Sequence, residues 1–157
     1  MDADRMRSYL LTLPHVVETM QWGASLVFWV GDKAIGGRMF AVISLDEEAI
    51  GRGRSVISYA AGAECFAELL EREGLHPAPY LARAHWVAVE HWEVFRLAEW
   101  QHQLAAAHAI VLAKLPARTR TLLQLPATRQ RRLIADRRRE AAAASKPKTS
   151  LRRKSTP

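Results

Sequence analysis

The residues of this chain with most to offer chemically are its arginines and lysines, and they are unevenly placed. Residues 118–157 hold 13 Lys/Arg against 2 Asp/Glu, a net of +11. Residues 1–117 hold 10 against 14, a net of −4, and the two parts return the formal +7 of the 157-residue chain. Arg129, Arg131, Arg132, Arg137, Arg138, Arg139, Lys146, Lys148, Arg152, Arg153 and Lys154 read as a phosphate-seeking arm, because cations clustered without acids neutralise a polyanion and release its counterions. A smaller set, Lys33, Arg38, Arg83 and His85, falls at hairpin ends or in adjoining strands. Brought together, those four would make a cationic patch of the kind that positions a protein on a phosphate backbone. Scattered, they are solvated turn charges, and the acidic balance of residues 1–117 weighs toward that plainer reading.

Other chemistry is thin. His102 and His108 are six residues apart, which places them on opposed faces of a helix, and His85 and His91 meet only if a strand end folds back. Zinc wants three or four converging ligands, so no metal site is expected. The five tryptophans offer stacking surfaces for bases. Trp29 and Trp86 sit inside apolar runs and read as core, while Trp92 and Trp100, beside His91, Glu99 and His102, suit an exposed groove. Neither a G-x-S-x-G elbow nor a G-x-x-x-x-G-K-[ST] loop occurs, and no set of nucleophile, base and orienting group is visible. No enzyme activity and no cofactor are expected. Cys65 alone forms no internal disulfide and reads as an inward-facing core residue.

The elements that must position these residues follow from periodicity. Asp2 or Asp4 caps a first helix carrying Met6, Tyr9, Leu10 and Leu13 on one face, and Pro14 ends it. A short Val16-Val17 stretch and a turn at Gln21–Ala24 lead to Leu26–Val30, a strand too apolar for a wet face. Arg38–Leu45 returns the chain, Gly36-Gly37 marks a bulge or hairpin end, and Asp46–Arg54 reads as a loop. Ser55–Tyr59 is the next strand. A helix over residues 62–73 offers a Glu68–Arg72 pair. Strands near His76–Leu81 and His85–Glu90 follow, then a helix from Glu93 to Lys114 that Pro116 stops. This order, helix, three or four strands, helix, two strands, helix, predicts an α+β two-layer sandwich, an antiparallel sheet with helices mostly on one face. Residues 1–117 form the body on this reading, and residues 118–157 a tail that is partly helical to disordered. Leu133 and Ile134 alone bury too little to repay ordering it.

Several of these segments, in this order, resemble the MmcQ/YjbR family of small bacterial proteins, labelled as having a double-wing, DNA-binding-like fold. The carriers are Leu13-Pro14, Trp22-Gly23, Val27–Gly31 leading through Lys33 to Met39-Phe40-Ala41, Pro77–Leu81, His85–Val89, and Ala113–Pro116. The resemblance spans roughly residues 5–117. Ala34–Gly37 are inserted relative to the family's pattern, and Ser58-Tyr59 and Ala107-His108 depart from it. The resemblance implies a DNA-binding protein; with no catalytic set visible, the leading reading is a non-enzymatic protein that associates with nucleic acid, DNA ahead of RNA, largely through the basic C-terminal arm. The alternative is a protein-interaction module of secretion-chaperone-like topology, acting as a homodimer or on a client. No apolar run is long enough to span a membrane. The N-terminus has acids where a signal peptide has bases, so a cytoplasmic, membrane-free protein is expected.

Overall fold

A computed structural model describes residues 1–146. Lys148, Arg152, Arg153 and Lys154 of the expected arm lie outside the described residues. Helix α1 (Ala3–Leu10) is capped by Asp2, which accepts from Arg5 N at 2.8 Å, and it buries Met6 and Leu10. Strands β1 (Val16–Gln21), β2 (Ser25–Val30) and β3 (Arg38–Ser44) form an antiparallel meander, and a 3-10 turn, Lys33–Ile35, joins the last two. Then come α2 (Glu47–Gly51), β4 (Ile57–Ala60), α3 (Ala63–Leu70), β5 (Leu75–Pro77), β6 (Trp86–Val89) and α4 (Leu97–Lys114). The sheet order is β1-β2-β3-β4-β6-β5, with every neighbouring pair antiparallel. The predicted two-layer α+β sandwich is what the chain forms.

Strand β2 is buried along its whole length, as its composition demands. Side chains alternate across a sheet. Leu26, Phe28 and Val30 therefore face the main core with Ile43, Tyr59 and Val87, under α1 and α4. The register shifts at Phe28/Trp29 and leaves Phe40 as the extra residue on β3. Its ring meets His108 of α4 edge-on at 5.4 Å. Val27 and Phe40 are both fully buried, as expected.

Local differences from the sequence reading have local causes. Asp46 accepts from Ala49 N and starts α2 inside the segment read as a loop. Strand β5 stops at Pro77 because Pro77 and Pro79 donate no hydrogen bond to a ladder, and Tyr80 is left-handed at φ 64. Helix α4 begins at Leu97, after a 3-10 turn at Trp92–Val94. Cys65 is exposed rather than in the core. Arg72 pairs with Glu99 at 2.9 Å instead of with Glu68.

The C-terminal segment differs most. After Pro116 the chain forms α5 (Ala117–Leu123) and α6 (Ala127–Ser145). Thr119 and Leu123 are buried. A Cβ on Gly36 would stand 2.4 Å from Thr119 Oγ1, and one on Gly31 would stand 3.1 Å from Leu123 Cδ2, so α5 sits directly on the β2–β3 turn. The Gln130 amide donates to Leu123 O and Leu125 O at 2.9 and 2.8 Å, and Ile134 packs on the core. Arg138 reaches the buried Asp32 carboxylate at 2.5 Å, and Arg137 donates to Ala34 O at 3.4 Å. The entropy argument for a loose tail weighed apolar burial alone. Polar anchors, and a run of Ala, Arg, Leu and Gln with high helix propensity, order the segment through Ser145. No helix among the described residues is long and apolar enough to cross a membrane.

Candidate nucleic-acid interface

Antiparallel pairing decides which of the expected site residues meet. Val30 pairs with Arg38, and Ala60 pairs with Trp86, so the ends of β2 and β4 and the starts of β3 and β6 share one end of the sheet. Lys33, Arg38, Arg83 and His85 therefore lie at the same end. The starts of β3 and β6 are two strand spacings apart, roughly 10 Å. Lys33, Arg38 and Arg83 are exposed. The Lys33 ammonium lies 5.9 Å from the Trp29 ring centroid. His85 is half-buried, left-handed at φ 59, and edge-on to Phe66 at 5.4 Å, so it is the least free of the four.

Helix α6 delivers its cations beside Lys33. At 100° per residue, Gln130, Ile134, Arg137 and Arg138 fall on one side, which is the side that touches the body. Arg132 and Arg139 project opposite with Arg129 beside them, Arg131 stands at the edge next to Arg138, and all four are exposed. Arg139 pairs with Asp136. Arg129, Arg131 and Arg132 form no ion pair among the described residues. Arg137 and Arg138, expected as phosphate contacts, meet Ala34 O and Asp32 of the body. Lys146 is exposed just past the helix. Residues 118–146 carry 9 Lys/Arg against 2 Asp/Glu, a net of +7 on two adjoining helices.

A second concave surface lies on the sheet face away from α4. It is a groove of about 560 Å³ floored by Met39, Val42, Ser44 and Ser58, with Trp22 and Tyr80 at its margins. Ser44 Oγ is buried and has no hydrogen-bond partner among the described residues, a condition that costs about 1–3 kcal/mol. At one end Ser55 Oγ lies 3.0 Å from His76 Nε2, and His76 Nδ1 lies 3.7 Å from Glu90 Oε1. No such trio was visible in the sequence, because its members stand before β4, on β5 and after β6. The amides of Gly53 and Arg54, just before Ser55, already donate to Ile50 O and Ala49 O at 2.9 Å each. They are not available to an oxyanion. At 3.7 Å the carboxylate also stands beyond hydrogen-bond reach of the imidazole. The trio orients a histidine in a groove wall.

The tryptophans divide differently from expectation. Trp100 is fully buried, and its indole N–H donates to Trp92 O at 3.0 Å. Trp92 is half-buried and packs on it at 5.5 Å. Trp22, read only as part of a turn, is the exposed one. Two titratable groups near α4 have structural tasks. Burial lowers the pKa of His108, whose Nε2–H donates to Pro14 O at 2.7 Å. Hydrogen bonds from Arg72 lower that of Glu99.

An antiparallel sheet in the order above, backed by α1 and α4, places the chain among small α+β proteins with one covered sheet face. The YjbR family model matches residues 11–110, and the chain belongs to that family. The chain is also similar to the crystal structure of Deinococcus radiodurans protein DR2400, which carries the family-model domain DUF419. Identity is 25%, covering 80% of this chain and 89% of that one, with a TM-score of 0.66. No curated protein matches the sequence. The family match ends inside α4, so α5 and α6 lie beyond it.

Proposed function

We propose that this chain associates with nucleic acid, duplex DNA above all, through the outer face of α6 and the adjoining end of the sheet. The observation that carries the proposal is the docking of α6. Gln130 ties α6 to Leu123 O and Leu125 O, and Arg138 ties it to Asp32 beside Lys33, so the exposed Arg129, Arg131, Arg132 and Arg139 are carried on a fixed helix at the Lys33 end of the sheet. Fixed cations reach phosphates with less ordering cost than a mobile arm. The function is binding without turnover. Contacts of this kind go to the backbone and carry little sequence information, so recognition is largely independent of sequence.

The test is a fluorescence-anisotropy titration of a labelled duplex over a range of salt. Each phosphate contact adds about 0.9 to the slope of log K against log[salt]. Replacing Arg129, Arg131 and Arg132 by Gln should lower that slope by roughly 2.7 and weaken binding about 500-fold near 0.1 M salt. An unchanged slope in that variant refutes the proposal. The alternative, a protein-interaction module, draws its support from the uncovered groove of the sheet.

A further inference from the structure

We propose that the groove on the uncovered sheet face binds a small, planar aromatic anion, independently of the α6 surface. Four non-glycine residues among those described have left-handed backbones, and two of them, Trp22 (φ 49) and Tyr80 (φ 64), line this groove. Bulky residues rarely adopt that conformation, and such outliers gather at ligand clamps. Here the outcome is two rings held toward water at the groove's margins, with Trp22 60% and Tyr80 104% exposed. Exposed aromatic faces beside the apolar floor of Met39 and Val42 suit a flat apolar guest.

The polar groups narrow the class. Pairing of β2 with β3 sets Ser25 opposite Ser44, and pairing of β3 with β4 sets Val42 opposite Ser58, so small hydroxyls alternate with the apolar floor. Ser44 lines the groove, and its Oγ lacks any hydrogen-bond partner among the described residues, which leaves it to be satisfied by a ligand's polar edge. Arg54 lines the same groove and forms no ion pair among the described residues, whereas Arg52 is paired with Glu48. A cation at the rim, hydroxyls in the floor and aromatic margins call for a ring bearing a carboxylate or phosphate. A volume near 560 Å³ falls in the usual range for a small-molecule site. Aromatic acids and free mononucleotides share this chemistry.

The experiment uses the full chain and two fluorescent probes, anionic 1-anilinonaphthalene-8-sulfonate and neutral N-phenyl-1-naphthylamine. The anionic probe should bind saturably. Arg54→Gln should weaken it about tenfold while changing the neutral probe less than about twofold. Trp22→Ala with Tyr80→Ala should weaken both probes. Ser44→Ala should weaken the anionic probe and yet raise the urea midpoint, because it removes a buried unpartnered hydroxyl; a merely structural serine would not split the two readouts. Displacement by indole-3-acetate assigns the site to aromatic acids, and displacement by adenosine 5′-monophosphate assigns it to nucleotides. Displacement by neither overturns the proposal, as does equal binding of both probes to the Arg54 and Trp22/Tyr80 variants. Displacement by a single-stranded oligonucleotide but by neither small anion makes the groove a nucleic-acid surface and also overturns it. The α6 triple variant should keep full probe binding, so failure of the nucleic-acid proposal leaves this test intact.

Discussion

Gly36 and Thr119 give the sharpest check that the C-terminal helices belong to the folded body. Gly36 sits at φ +90, where a side chain costs about 1–2 kcal/mol in backbone strain alone. A Cβ there would also lie 2.4 Å from Thr119 Oγ1, an overlap worth about 1–3 kcal/mol when packing is tight. Gly36→Ala should therefore destabilise by about 2–5 kcal/mol. In Thr119→Ala the nearest remaining atom is Cβ, at 3.5 Å from the new methyl, an ordinary contact. That variant alone should cost about 1 kcal/mol. The double variant should keep only the backbone strain and the Thr119 loss, so the cycle should show a coupling of about 1–3 kcal/mol in the relieving direction. Urea denaturation followed by tryptophan fluorescence measures all four corners. If the two substitutions add to within about 0.5 kcal/mol, α5 does not rest on the β2–β3 turn and the docked arrangement of α6 fails with it.

Two further predictions concern the same body. A chain ending after residue 117 loses the burial of Leu123, worth about 1.5–3 kcal/mol, and should melt roughly 6–12 °C below one ending after residue 125 when both are scanned by calorimetry. Burial holds the folded-state pKa of His108 below its ordinary 6.5, against the pull of the Pro14 carbonyl and with help from His15. The unfolded chain then takes up the proton first, so stability present above pH 6.5 is lost as pH falls through the folded value. His108→Gln, which can still donate to Pro14 O, should flatten the urea midpoint between pH 7 and 5.5; an unaltered pH dependence would exclude His108 as its source.

The sheet and its covering helices were legible because their signals are local. Leu26–Val30 is apolar enough to need burial on both sides, and it is buried on both. Met6 and Leu10, one helical turn apart, both face the core. What escaped was decided by partners far away in the chain. Glu68 and Arg72 have ideal helical spacing, but Glu99 offers Arg72 a two-oxygen acceptor at 2.9 and 3.3 Å. Local spacing says nothing of a carboxylate on another helix. Cys65 lost its expected burial because α3 is a short helix at the sheet's β5–β6 side, with one half-buried stripe of Phe66, Leu69 and Leu70.

The seat of the C-terminal helices on the β2–β3 turn and the groove were illegible for a common reason: each is assembled from segments far apart in the chain. Ala34–Gly37 stood out as a hairpin end inserted into the family pattern, and residues beyond Pro116 as a basic extension of it; neither signal points to the other. The structure packs one on the other, Thr119 against Gly36 and Arg137 on Ala34 O, with Arg138 on Asp32 just before the insertion. An acid that caps the 3-10 turn through Ala34 N thus also receives the basic helix. One buried carboxylate does two tasks, which the local sequence around Asp32 cannot reveal. The groove follows the same logic. Trp22-Gly23 and Pro77–Leu81 carried the family resemblance as turn and strand, yet in space Trp22, Pro79 and Tyr80 edge one concavity whose floor comes from β3 and β4. Sequence spacing locates elements; which cation, hydroxyl or ring then faces which cavity depends on strand order. The order β3-β4-β6-β5 brings Ser55 and His76 within 3.0 Å across the intervening β6.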